Sequence, residues 1–217
     1  MPLLLIFDLD GTLVDSREDL ATAINLMRAD FNLQPLPLET VSGFIGDGVH
    51  RLVARALGGH PADLERAVAT MQAHYDKHLY DKTRLYPGVQ QGLAELHTAG
   101  HKLALVSNKI ASASEAILKH FGLLPLFQAV IGGDTLPYLK PHPAPLIEAV
   151  RRVGFDLAQT WMIGDHVTDM AAARAAGVSS VFVNYGIGHA GDYTPDRRFD
   201  TFGELVAFFN QTVSGKP

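Results

Sequence analysis

Leu3-Leu4-Leu5-Ile6-Phe7-Asp8-Leu9-Asp10-Gly11-Thr12 is the stretch on which the reading of this chain turns. Five apolar residues read as a buried strand and stop abruptly at two carboxylates spaced two apart. Strand side chains alternate, so both acids share one face if the extended geometry persists. Two like charges side by side resist burial unless a cation or a proton answers them. Acids placed where a core strand meets a loop therefore point to a bound metal.

Outward from this stretch the pattern changes twice. Leu20, Ile24, Met27 and Phe31 recur at helical spacing, with Ser16 as N-cap and Asp19 as its capping-box partner. Pro35 and Pro37 break the run. The loop Gly43-Phe44-Ile45-Gly46-Asp47-Gly48 leads to a helix carrying Leu52, Val53, Ala56 and Leu57, and another starts near Pro61 with Leu64, Val68, Met71 and Tyr75 in one stripe. Residues 15–84 show no convincing strand. After Tyr86-Pro87-Gly88, strands at Lys102–Val106, Ala129–Ile131, Trp161–Ile163 and Ser180–Val183 alternate with helical stripes, the last at Phe202–Phe209.

Alternation of this kind predicts an α/β fold, a Rossmann-like parallel sheet with helices on both faces. The helical stretch reads as an inserted cap, 15–84, between core segments 1–14 and 85–217. Its hinges are expected near Asp15-Ser16 and Arg84 to Pro87, and the tail Ser214–Pro217 is expected to fray.

Composition narrows the function classes. The 217 residues are 47% hydrophobic with net charge −5, enough for a sizeable core and without the basic footprint of a nucleic-acid binder. The absence of cysteine excludes disulfides, thiolate zinc sites and a cysteine nucleophile. Met1 to Phe7 is too short for a signal peptide, and no apolar run approaches the roughly 18 residues of a membrane span. A cytoplasmic protein without membrane or nucleic-acid partners is expected. Nothing in the sequence chooses between a monomer and a homodimer.

Three of the strands end at something polar: Asp8 and Asp10, then Ser107-Asn108-Lys109, then Gly164-Asp165 with Asp169 four residues on, while Lys140 lies between the third strand, Ala129–Ile131, and the next helix. Strand C-termini of a parallel sheet share one edge, so these groups are expected to converge. Four carboxylates and one ammonium suit phosphoryl transfer. Carboxylate oxygens suit Mg²⁺, Lys140 can neutralise phosphate oxygens, and positioning with charge stabilisation does most of the work.

Taken in order, Asp8-Leu9-Asp10-Gly11-Thr12, Ser107, Lys140 and Gly164-Asp165 through Asp169 resemble the four motifs of the haloacid-dehalogenase-like hydrolase superfamily. The resemblance covers nearly the whole chain. Within the superfamily it is most similar to the phosphoglycolate phosphatases, through Gly46-Asp47-Gly48-Val49, Tyr86-Pro87-Gly88-Val89, Ser107-Asn108-Lys109, Ile131 to Pro137 and Lys140 to Pro145. It implies Asp8 as nucleophile, forming an aspartyl-phosphate, and Asp10 as general acid and then base. It implies Mg²⁺ held by Asp8, the Asp10 backbone carbonyl and Asp165, with Asp169 orienting metal waters or Lys140. Ser107 and Lys140 would bind the transferring phosphoryl group. Gly11, Thr12, Asn108, Gly46, Asp47, Gly48 and Arg51 are the expected substrate contacts. The substrate would be a small phosphorylated metabolite, with 2-phosphoglycolate leading and a sugar phosphate or pyrophosphate as alternatives.

Two positions depart from the family pattern: His166 follows Asp165 where a small hydroxyl residue is common, and Asp47 replaces the common Asn between Gly46 and Gly48. His50, Arg51 or Arg55 could offer a cation to a substrate carboxylate. Each residue also has a plainer reading. Asp-Gly is a common turn pair, Asp165 and Asp169 could merely favour a helix N-terminus, and His166 could be a partly exposed loop residue. A phosphomutase and a non-catalytic binding protein share the same motifs as rival functions.

Overall fold

The computed structural model describes residues 1–213; the tail at 214–217 lies outside the described residues. The first strand, β1 (Leu4–Phe7), decides the layering by its two-residue period. Leu4 and Ile6 pack with Ala104, Val106, Met162, Leu146 and Ala172 on one face. Leu5 and Phe7 pack with Leu93, Leu103, Ile163, Val181 and Phe202 on the other. All four side chains of β1 are fully buried, each worth about 1.5–3 kcal/mol of transfer free energy.

The strands that flank it are β4 (Lys102–Val106), β5 (Phe127–Ile131), β6 (Thr160–Gly164), β7 (Ser179–Val183) and β8 (Arg197–Phe199). They form one sheet in the order β5-β4-β1-β6-β7-β8, and every pairing is parallel. Helices α7 (Ala144–Val153) and α8 (Val167–Ala176) cover the Leu4 face. Helices α5 (Val89–Thr98), α6 (Ala111–His120) and α9 (Phe202–Val213) cover the Phe7 face. From β1 the chain builds outward to β4 and β5, then returns to β6 on the other side. The end of β1 is therefore a topological switch point, where open α/β sheets bind ligands.

Four helices, α1 (Arg17–Asp30), α2 (Leu38–Ser42), α3 (Val49–Leu57) and α4 (Leu64–Lys77), follow β1 and pack on one another. Two short strands, β2 (Val14–Asp15) and β3 (Arg84–Leu85), pair antiparallel at the two crossings of this stretch, Val14 against Leu85 and Asp15 against Arg84. The strandless reading of 15–84 is thus corrected at both borders, where two-residue strands are too short to carry a periodic signal.

Other differences have physical reasons. Strand β8 was not expected, because Arg197 and Arg198 are exposed on the sheet edge, where charge rather than alternation is usual. Helix α4 starts at Leu64, not Pro61, with the Asp63 carboxylate accepting from the Arg66 amide at 3.2 Å. Ser16 precedes α1 but makes no cap bond. Asp19 does not close a capping box either; its buried carboxylate accepts from the Lys82 and Thr83 amides and the Thr83 hydroxyl, at 2.7–3.0 Å. It ties the start of α1 to the entry of β3. No helix among the described residues is long and apolar enough to cross a membrane.

Candidate active site

The two acids of the opening stretch part company. Strand pairing continues to Asp8, whose amide donates to the Ile163 carbonyl at 2.9 Å. The chain then turns tightly, with the amides of Thr12, Leu13 and Val14 all donating to the Leu9 carbonyl. Gly11 makes the turn possible: its φ is +85°, and a Cβ there would overlap the Asp165 carboxylate. Extended geometry does not persist, so the carboxylates do not share an environment.

Asp8 faces the sheet edge. One oxygen each of Asp8, Asp165 and Asp169 lies within 4.8 Å of the others, and all three residues are buried. Asp10 instead turns toward the helical stretch, where the Ser16 hydroxyl donates to Oδ1 and Lys109 Nζ lies 3.1 Å from Oδ2. Ser16, read as a helix cap, thus holds Asp10.

Lys140 is the cation of the carboxylate cluster. Its Nζ lies 2.9 Å from Asp8 Oδ1 and donates to Asp169 Oδ1 and the Val106 carbonyl, each at 2.7 Å. With a side chain only 1% exposed, burial works against its charge, but Asp169 and Asp8 outweigh that and hold its pKa above the ordinary lysine value. Its backbone is fastened by the Asn108 side chain, which accepts from the Lys140 amide and donates to the Lys140 carbonyl, both at 2.9 Å.

Asp169 has both oxygens engaged, one by Lys140 and the other by the His166 amide at 3.0 Å. It orients the lysine and caps α8, with the His166 ring accepting in return from the Thr168 amide. Asp165 accepts from the Thr12 hydroxyl at 3.2 Å and from the Ile187 and Gly188 amides at 2.8 and 2.9 Å.

Three buried carboxylates served by one ammonium leave net negative charge. Asp8 Oδ1 faces Lys140 across 2.9 Å but at an angle that makes no hydrogen bond, so it stands as a buried oxygen without a directed donor. Burial, then the neighbouring acids, push Asp8 up to about 6 and Asp165 up to about 7, against the pull of Lys140 on Asp8. An all-oxygen donor set with surplus negative charge fits a hard divalent cation.

A linkage prediction follows from those two shifts. Both carboxyls bind protons more tightly folded than unfolded, where an aspartate titrates near 3.9. Their contribution to stability is complete below about pH 4 and is lost as pH rises through about 6–7. In chelator, the melting temperature should fall between pH 5 and pH 8 from this source. Magnesium should stabilise more at pH 8 than at pH 5, because bound metal needs ionised ligands. Thermal melts with and without Mg²⁺ at both pH values check this; an equal Mg²⁺ shift at both refutes it.

The helical stretch roofs this edge. Between roof and sheet lies a cleft of about 760 Å³, open solvent included, lined by Asp8, Asp10, Ser107, Asn108, Lys109 and His166 below and by Ile45, Leu52, Met71 and Tyr75 above. Gly46 and Gly48 line it as expected. Asn108 Nδ2 reaches the Gly46 carbonyl at 2.9 Å, so this side chain bridges the roof to the lysine loop and has its polar atoms committed to backbone. Gly46 has φ +114°, and a Cβ there would lie 2.9 Å from the His166 ring. His166 is half-buried and lines the cleft, and burial lowers its pKa despite Asp47 and Asp8 nearby.

Asp47 and Arg51 do not line the cleft. The Asp47 carboxylate is held by Arg55 and lies 3.8 Å from Arg51, whose side chain is 70% exposed. His50 pairs with Glu65 at 3.4 Å. The cations expected to meet a substrate carboxylate are thus turned away, and the extra acid is neutralised outside. Thr12 is buried against Asp165 rather than exposed to the cleft.

Sequence reasoning assigned no role to Lys109, Tyr75 or the loop Tyr185–Gly188. Lys109 Nζ donates to the Tyr75 hydroxyl at 2.7 Å, and Tyr185 donates to the Thr12 carbonyl at 2.9 Å. A signal existed for the loop, since β7 had to end on the same edge. Lys109 stands in the strand-end run Ser107–Lys109, but nothing local announces its pairing with Tyr75, 34 residues away.

Known proteins place this geometry. Residues 5–183 match the family model described as haloacid dehalogenase-like hydrolase. A phosphoglycolate phosphatase of Colwellia psychrerythraea is 41% identical over 213 residues, 93% of this chain and 94% of that protein. One of Psychrobacter arcticus is 39% identical over 94% of each. The crystal structure of a predicted phosphoglycolate phosphatase from Haemophilus somnus superposes with a TM-score of 0.87 at 33% identity, covering 95% of this chain and 97% of that one. With its strand-end acids, buried lysine and six-stranded parallel sheet, the chain belongs to the haloacid dehalogenase-like hydrolases.

Proposed function

We propose that this protein is a Mg²⁺-dependent phosphatase that hydrolyses a small phosphomonoester, 2-phosphoglycolate first among candidates, through an aspartyl-phosphate on Asp8. The observation that carries the reading is the separation of the two motif acids. Asp8 sits in the carboxylate cluster beside Lys140, while Asp10, also lining the cleft, is held off the cluster by Ser16 and Lys109. In this reading one acid attacks phosphorus and the other serves the ester oxygen. The names of the relatives support the substrate.

Asp8 and Asp165 would hold the metal with the Asp10 carbonyl, and Asp169 would act through Lys140. Bound Mg²⁺ would supply charge neutralisation to the phosphoryl oxygens. An Asp8 oxygen attacks phosphorus, the ester P–O bond breaks, and Asp10 gives its proton to the departing alkoxide. Asp10 then takes a proton from water, which attacks the acyl phosphate, releases inorganic phosphate and restores Asp8. Ser107 and Lys140 bind the transferring group. Residues 15–84 act as a cap hinged at the β2–β3 pair, closing to shut out bulk water. A cytoplasmic location fits a diffusible metabolite.

Steady-state hydrolysis of phosphoglycolate, sugar phosphates and pyrophosphate, with the metal varied, tests this reading. Phosphoglycolate should give the highest kcat/KM, and no turnover of any ester with Mg²⁺ by folded protein would refute it. Asp10→Asn should slow phosphoglycolate cleavage by about 10²–10⁴-fold and an activated aryl phosphate far less. Equal losses on both count against the acid role.

A further inference from the structure

The cleft holds a second buried cation that the chemistry above does not consume. Lys140 belongs to the carboxylate cluster, with Asp8, Asp169 and the Val106 carbonyl around its ammonium, and its role in the proposal above is at the transferring phosphoryl group. Arg51, Arg55 and His50 are paired outside with Asp47 and Glu65. Lys109 is different. It lines the cleft, yet its side chain is only 7% exposed. Its ammonium donates to the Tyr75 hydroxyl at 2.7 Å, stands 4.4 Å from the centre of that ring, and lies 3.1 Å from Asp10 Oδ2. Those two acceptors leave one N–H of three.

A buried lysine is costly unless its charge is used. Tyr75 comes from α4 in the roof and Asp10 from the turn that follows β1, so Lys109 joins the two. Apolar side chains, Leu20, Ile45, Leu52, Met71 and Ile110, share the lining of the cleft with it. Asp76 on α4 also lines the cleft, but it is exposed at the rim. In such surroundings a charge-assisted hydrogen bond gains strength.

We propose that Lys109 is a specificity-determining residue that receives a negative charge on the leaving group, selecting phosphomonoesters with a carboxylate two or three bonds from the ester oxygen. The distance follows from Asp10. If Asp10 serves the ester oxygen, an ammonium 3.1 Å beyond its carboxylate meets substituents next to that oxygen. The inference rests on the role proposed for Asp10 and explains how a carboxylate is recognised when Arg51 and Arg55 face away.

The test uses two non-hydrolysable competitors, 3-phosphonopropionate and its neutral amide, against Mg²⁺-dependent hydrolysis of p-nitrophenyl phosphate. Wild type should bind the carboxylate at least about tenfold more tightly than the amide, the effect of one charge-assisted hydrogen bond. Lys109→Met should bring the ratio of inhibition constants close to one, and Lys109→Arg, which keeps the charge, should retain part of it. Residual turnover of the aryl ester shows that each variant is folded. Absence of a carboxylate preference in wild type, or a ratio unchanged in Lys109→Met, overturns the proposal. So does a lower kcat with both inhibition constants unmoved, since Lys109 would then only hold Asp10. Failure of wild type to hydrolyse phosphoglycolate while the carboxylate competitor still binds through Lys109 removes the substrate reading and leaves this one standing.

Discussion

Asp8→Asn should lower phosphate release by at least about 10⁴-fold, the scale on which loss of a nucleophile acts. An amide oxygen at this position is neutral and a poor attacker, and no other carboxylate takes its place. Asp165 is turned to Thr12 and the Ile187 and Gly188 amides, Asp169 to Lys140 and the His166 amide, and Asp10 lies outside the cluster. The substitution should leave the fold intact. Asp8 carries a carboxyl whose pKa burial and neighbouring acids have raised to about 6, so a neutral isostere removes repulsion at neutral pH. The metal-free variant should melt at or above the wild-type temperature at pH 8, and Mg²⁺ should stabilise it less. Phosphate release and thermal melts in chelator and in Mg²⁺ measure both effects. Turnover within tenfold of wild type would refute the nucleophile assignment.

Lys140→Met should be the most damaging substitution for stability. Methionine keeps much of the stem's packing but strands two buried carboxylates, since Asp8 and Asp169 each lose their ammonium partner. Breaking a buried ion pair from one side costs about 3–5 kcal/mol, which for a chain of this length lowers the melting temperature by roughly 6–20 °C. The loss should be smaller at pH 5, where the orphaned acids take up protons, and smaller with Mg²⁺, which replaces the missing charge. Hydrolysis should fall below detection with the melt still cooperative, because the phosphoryl oxygens lose their cation. A melting temperature unchanged at pH 8 would show that Lys140 does not neutralise the cluster.

The parallel sheet and the gathering of polar residues at its edge were legible early because they rest on local rules. Alternation along Leu4–Phe7, the helical stripes between strands, and polar residues at three of the strand ends predict a sheet with one functional edge. Asp8, Ser107, Lys140, Asp165 and Asp169 converge there. Border elements were harder. β2 and β3 have two residues each, too few for a period, and β8 carries arginines outward on an edge. Ser16 looked like a cap because a serine before a helix usually is one; the Asp10 carboxylate, a charged acceptor brought close by the turn at Gly11, competes for its hydroxyl.

By itself the sequence determined which residue types meet at the switch point, since strand-end placement is a property of consecutive residues. Only the tertiary structure decided which partner each of them takes. The Asp10 carboxylate answers to Ser16 and Lys109 rather than to the carboxylate cluster. Asp169 gives both oxygens to Lys140 and the His166 amide, and Asn108 fastens the lysine loop to Gly46. The arginines expected at the substrate turn outward to Asp47, while Lys109 is carried inward under Tyr75. The physical reason is that charge pairing at short range depends on how separate helices pack over the sheet edge. That packing joins groups as many as 173 residues apart, beyond the reach of any local pattern.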